Sequence, residues 1–179
     1  MAWFSRKDKR SGPAAAGVPD DGPANGPDGS DDAPEYDPEV PLRVRIRDVG
    51  DAERARVEAG LAALADLGVD VDDVTSLGAG LDRATQEWQA TPARKRGDED
   101  AAREPWVVGV GEHLVRHSDL EWALVRDAFG TDLAVAQQRD DFAVVPANLV
   151  GARWMAGETG WLPGVVAHLL RVRESRRPD

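Results

Sequence analysis

Apolar positions recur along residues 42–174 at two different spacings, and the change from one to the other separates helices from strands. Val57, Leu61 and Leu64 follow Asp51 at helical spacing, which predicts a first helix capped by Asp51 and stopped at Gly68 by a left-handed residue. After the turn-like VDVDDV, Thr75 is placed to cap a second helix. Leu77, Leu81, Ala84 and Trp88 share one face of it, and Pro92 follows its end. TPARKRGDEDAARE reads as a charged, solvated loop. Pro105 suits the first turn of a third helix, 105–117, with Val107, Val110 and Leu114 inward. The rhythm then changes to alternation. LEWALVRD, DLAVAQQ and FAVV predict three short strands, the first two joined by a turn at Gly130. Pro146 opens a helix through Leu149, Val150 and Trp154, and WLPGVVAHLLRVR supplies the last helix after Gly160. The expected fold is α+β, with N-terminal helices on a three-stranded antiparallel meander and C-terminal helices closing it.

Composition adds an arm to this body. Residues 11–41 carry Pro, Gly, Asp and Ala with almost no large apolar side chains, and burial there cannot offset the entropy of ordering. The domain reading is therefore a disordered acidic arm at 1–41, one domain at 42–174 and a basic tail at 175–179. From residue 11 to 41 there are eight acids (Asp20, Asp21, Asp28, Asp31, Asp32, Glu35, Asp37 and Glu39) and no base, so the arm should extend away from an acidic body. Its tip differs. Trp3 and Phe4 stand beside Arg6, Lys7, Lys9 and Arg10, a pattern suited to an anionic membrane surface or a partner groove.

Charge and cysteine usage narrow the chemistry. A formal net charge of −11 argues against a sequence-independent grip on nucleic acid, which needs clustered Lys and Arg. Basic residues cluster at the start and at Arg171, Arg173, Arg176 and Arg177. The absence of cysteine removes disulfides, thiolate zinc sites and cysteine nucleophiles. No apolar run approaches the roughly 18 residues of a membrane span, and the start lacks an apolar signal core, so a cytoplasmic protein is expected.

The chemical signals centre on GEHLVRH, residues 111–117. On a helical wheel His113 and His117 lie on one shoulder of the inner face, while Glu112 points nearly opposite, away from the core. A zincin helix reads His-Glu-x-x-His, so that base and ligands address one ion. Here the order is Glu-His-x-x-x-His without a third spaced ligand, and no metal is expected. Glu112 and Arg116 are instead placed for an i,i+4 pair. Gly109 and Gly111 with Asp127 mimic a dinucleotide fingerprint, but Leu114 fills the third glycine position. Asp70, Asp72 and Asp73 mimic a calcium loop in which Thr75 replaces the turn glycine. No cofactor and no catalytic residue is assigned. Arg153 and Trp154, before the loop GETGW, are binding candidates because Arg and Trp anchor interfaces, and Arg153 has Asp127 and Glu158 as candidate partners.

GEHLV at 111–115, LEWALVRDAFGTDLAV at 120–135, VVPANLVGARW at 144–154 and the closing helix through His168 together resemble the bacterial family known as domain of unknown function 3806. The resemblance runs from about residue 54 to 172, implies an α+β module, and carries over no catalytic residue. Its recurring glycine, glutamate, tryptophan and arginine positions correspond to Gly111, Glu112, Trp122 and Arg153. With the wheel, these leave Glu112, His113, Arg153 and Trp154 as binding candidates.

Three functions remain open on the sequence. The first is a non-catalytic module that binds a protein partner, with the arm as tether or regulator. The second is a small enzyme using Glu112 with His113 or His117. The third is peripheral membrane association through Trp3, Phe4, Arg6 and Lys7.

Overall fold

A computed structural model describes residues 45–126, 130–137 and 142–176. The expected acidic arm with its Trp3 and Phe4 tip, Asp127, and the last three residues lie outside them.

The chain order is β1 (Arg45–Asp48), α1 (Asp51–Asp66), α2 (Val74–Ala90), a short 3-10 turn (Ala93–Lys95), α3 (Glu99–Arg116), β2 (Glu121–Arg126), β3 (Thr131–Gln137), β4 (Phe142–Val144), α4 (Pro146–Ala156) and α5 (Leu162–Ser175). The fold is α+β, and the three-stranded sheet expected from the sequence is corrected to four antiparallel strands in the order β1-β2-β3-β4. The added strand comes first in the chain. Three helices separate β1 from its neighbour β2, so helices and strands are interleaved rather than arranged as helices, then a meander, then helices. With Ile46 alone apolar among its four residues, β1 carries too little alternation to announce itself.

Local signals hold in part. Gly68 adopts φ +69 and ends α1 as expected. Its N–H donates to the Ala65 carbonyl, and Val69 N–H donates to the Leu64 carbonyl, the paired bonds of a Schellman stop. The caps fall one or two residues earlier than predicted. Gly50 caps α1, with the Glu53 carboxylate accepting from its N–H at 2.9 Å, and Asp73 caps α2 by accepting from Thr75 N–H at 2.8 Å. The helix expected to open at Pro105 begins at Glu99, where Asp98 accepts from Ala101 N–H at 2.7 Å. Pro105 therefore lies inside α3, whose first turns are drawn from the expected charged loop. Those turns hold their charges in pairs: Arg103 with Asp100 and Glu99, and Glu104 with Arg56 of α1.

The core draws on all five helices and the sheet, with Leu64, Leu77, Leu81, Val110, Leu114, Val135, Val150 and Leu162 almost wholly buried. α1 and α3 approach closely because their crossing is made of glycine. A Cβ on Gly109 would stand 2.6 Å from Leu64 Cδ1, and one on Gly60 would stand 2.7 Å from Val108 Cβ. The C-terminal half of α3 meets β2, and Glu112 and His113 of the four candidates lie there.

Candidate functional site

Helix α3 presents Gly111, Glu112, His113, Arg116 and His117 to two neighbours, strand β2 and the 69–73 segment between α1 and α2. The Glu112 side chain does not point away from the body as the helical wheel suggested. Its Oε2 accepts from Trp122 Nε1 at 2.9 Å, its Oε1 accepts from Arg116 Nε at 2.9 Å, and only 15% of the side chain is exposed. A wheel measures direction relative to one helix, and the half-buried Trp122 of β2 reaches around to meet the carboxylate. Gly111 makes that reach possible. A Cβ there would lie 2.7 Å from Trp122 Cζ2 and closer still to Cη2.

The expected Glu112–Arg116 pair is present, and Arg116 extends it by donating from Nη1 to Asp72 Oδ2 at 2.8 Å. The Glu112 carboxylate bonded to it raises the Arg116 pKa above its ordinary value. The result is a chain of charge from β2 to the 69–73 segment: the Trp122 indole, Glu112, Arg116 and Asp72. Charge-assisted bonds of this kind are stronger than neutral ones and fix orientation.

His113, on the shoulder of the inner face, is almost wholly buried. Its Nδ1 lies 2.7 Å from the Val71 carbonyl oxygen, which only accepts, so Nδ1 carries the hydrogen. His117 Nε2 meets the Asp72 carbonyl at 3.1 Å and donates in the same way. The two rings sit 4.2 Å apart. Burial pushes His113 below its ordinary pKa of 6.5, and the neighbouring His117 pushes the same way. The Val71 carbonyl, Asp72 and Asp73 oppose the shift. Each imidazole thus has one nitrogen committed to a backbone carbonyl of the 69–73 segment. Among the described residues no group of three or more His, Asp or Glu is arranged to hold a metal ion.

Arg153 and Trp154 stand apart from this network, with partners on other elements. Arg153 Nη1 donates to the Leu149 carbonyl at 3.1 Å, and its Nε lies 3.9 Å from Glu158 Oε2, one of the two partners expected for it. Its guanidinium sits 4.5 Å from the Trp161 ring centroid. Trp154 is buried against Trp88 at 5.9 Å, and its indole N–H has no hydrogen-bond partner among the described residues. The two neighbours in sequence therefore do different things: Trp154 fills the core and Arg153 lies along the surface of α4.

One feature escaped sequence reasoning. Arg173, read as part of a basic cluster, is only 4% exposed and grips Asp119 with two bonds of 2.7 Å. Arg116, His117, Ser118, Leu170 and Glu174 join that pair around a polar cleft of about 360 Å³. The signal was present in the spacing, because Val166, Leu170 and Arg173 follow one face of α5. A long side chain at the end of an apolar stripe buries its stem and carries its charge to a partner.

Residues 84–164 match the family model described as Domain of unknown function (DUF3806), an uncharacterised bacterial domain. The match runs from α2 into α5 and contains Gly111, Glu112, Trp122 and Arg153, while β1 and α1 precede it. Comparison with curated proteins and with solved structures found no match.

Proposed function

We propose that this chain is a non-catalytic binding or regulatory module that acts on a protein partner in the cytoplasm. The observation that carries the reading is the structural use made of Glu112, His113 and His117. Glu112 is bonded to Trp122 and Arg116, and the two histidines are bonded to the carbonyls of Val71 and Asp72. These bonds join α3 to β2 and to the 69–73 segment and give the three side chains a structural use; each imidazole keeps its second ring nitrogen outside them, and a general base needs that lone pair to face substrate. The surface of α4 suits contact better. Met155 is 72% exposed, and Arg153 lies on the Trp161 ring. Arg, Met and aromatic side chains are enriched at protein interfaces.

The test is native mass spectrometry of the full chain isolated gently from its own host. A stoichiometric protein partner lost on Arg153→Ala or Met155→Asp supports the module. A bound small molecule that the protein turns over, with turnover abolished by Glu112→Gln, overturns it.

A second reading, an enzyme using Glu112 with His113 or His117, draws on the polar cleft, because His117 and Arg116 line it. It requires a pH-dependent activity with an apparent pKa near neutrality. The membrane reading rests on Trp3, Phe4, Arg6 and Lys7, which lie outside the described residues. Among the described residues no helix is long and apolar enough to cross a membrane. Unchanged vesicle co-sedimentation after alanine replacement of Trp3 and Phe4 removes that reading.

A further inference from the structure

The polar cleft of about 360 Å³ opens where two helices end. Residues 116–119 reach it from the end of α3 and the turn beyond, and Leu170, Arg173 and Glu174 reach it from the last turns of α5. A helix C-terminus carries the negative end of its dipole, and two such ends meet at this opening. The side chains add to that field. Arg116 is held by two carboxylates, Glu112 and Asp72, and Arg173 is held by Asp119. Both guanidiniums are therefore met by acids before any ligand arrives. Glu174 is exposed and forms no ion pair among the described residues, although it stands in the last turn of α5, where the dipole disfavours a carboxylate. Arg171 and Arg176 of the same helix do not line the cleft, and Arg176 lies over the Phe142 ring. The surplus charge at the cleft is negative.

His117 adds an acceptor held in one orientation. Its Nε2 donates to the Asp72 carbonyl at 3.1 Å, which leaves Nδ1 with a lone pair in the neutral ring. Leu170, half-buried, supplies an apolar wall. Surplus negative charge, a lone-pair acceptor and an aliphatic wall together fit an ammonium group on a short aliphatic chain. Glu174 and Nδ1 take its N–H bonds, and Leu170 takes its methylenes. A metal ion fits less well, because no group of three or more His, Asp or Glu among the described residues is arranged to coordinate one. An anion would be set against Glu174 and both helix ends. We propose that this cleft is a binding site for a primary alkylammonium group, carried either by a small amine or by a lysine side chain. The bonds that fix Arg116, His117 and Arg173 prearrange its walls, so little side-chain freedom is lost when the cation enters. The inference goes beyond the protein-binding module, since a free amine fills the cleft without a protein partner.

The experiment titrates the full chain at constant ionic strength and follows the nitrogen-15 amide shifts of His117, Ser118, Asp119, Leu170 and Glu174. The probes are n-butylammonium, its neutral and anionic counterparts n-butanol and butyrate, and the capped peptide acetyl-Gly-Lys-Gly-amide. Butylammonium is expected to shift these amides saturably with Kd of about 1–10 mM, and butanol and butyrate to bind about tenfold more weakly or not at all. Glu174→Gln should weaken butylammonium about fivefold, the upper end for an exposed ion pair. Glu58→Gln, at an exposed acid of α1 that does not line the cleft, should leave it unchanged. The comparison of butylammonium with butanol uses the wild-type chain and stands without any variant. Tighter binding of the lysine peptide than of butylammonium supports the site with a lysine side chain as occupant, and the reverse order supports it with a free amine. Absence of a saturable shift with both cations overturns the proposal. Equal binding of butanol or butyrate overturns it, and so does equal weakening by Glu58→Gln and Glu174→Gln, which would report only the general attraction of a chain of net charge −11 for cations.

Discussion

Trp122 donates its indole N–H to the Glu112 carboxylate at 2.9 Å, across the gap between β2 and α3, while its ring lies on the bare backbone of Gly111. Two consecutive helical residues thus serve one aromatic ring, the first by having no side chain and the second by accepting its hydrogen. Together they lock the helix onto the sheet at one rotation.

Gly111→Ala is expected to lower stability by about 1–3 kcal/mol or more, because the added methyl must displace Trp122. Gly164 is the control, since a Cβ there meets nothing within 4 Å. Thermal unfolding of both variants checks this. An equal effect at the two positions would remove the close-approach argument.

Trp122→Phe deletes the donor and also the outer part of the ring that lies on Gly111, leaving Glu112 one bond short in a half-buried setting, at an expected cost of about 1–3 kcal/mol or more. A double-mutant cycle with Glu112→Ala, which removes the acceptor, followed in urea separates the bond from the packing. Strictly additive losses would mean that the two side chains do not interact in solution.

Stability should fall on mild acidification through His113. Its folded pKa is lowered by burial, so the unfolded chain takes up the proton first as pH falls below the ordinary 6.5. The contribution is fully present above that pH and is lost as pH drops from there toward the lower folded pKa. His113→Asn retains a donor toward the Val71 carbonyl without titrating. The gap in stability between wild type and variant should therefore narrow from pH 7 to about pH 5. Parallel stability curves would show that His113 does not titrate differently on unfolding.

Asp119→Ala removes the two bonds that Asp119 makes to the buried Arg173 guanidinium and should cost on the order of 3 kcal/mol, less where water reaches the cleft beside it. Arg173→Met removes the charge but keeps the stem, and the milder loss expected in chemical denaturation distinguishes burial of the stem from the ion pair. A larger loss for Arg173→Met would reverse that reading.

The stretches read most directly from sequence were those whose signals are local. Gly68 stops α1 because one backbone conformation is needed there, and Pro146 opens α4 because a first-turn residue has no use for its N–H. Pro105 shows the limit of the same rule. It was expected to begin a helix, yet Asp98 and the paired charges of Glu99, Asp100 and Arg103 start α3 earlier, and the helix runs through the proline. The i,i+4 pair of Glu112 and Arg116 was legible for the same local reason, while the bond from Trp122 to Glu112 was not.

By itself the sequence determined the α+β class, the positions of the helices apart from the start of α3, the β2–β3 hairpin, the apolar face of α3 and the acidic character of the chain before β1. These follow from periodicity, turn residues and composition, which act over a few residues. Only the tertiary structure decided that Arg45–Asp48 joins the sheet beside β2, that Glu112 faces a tryptophan, that His113 holds the Val71 carbonyl, and that Arg45 opposes Arg126. Each is a pairing between segments far apart in the chain. Such pairings are set by which surfaces fit once α1 and α3 close on their glycines, and no local spacing encodes that fit.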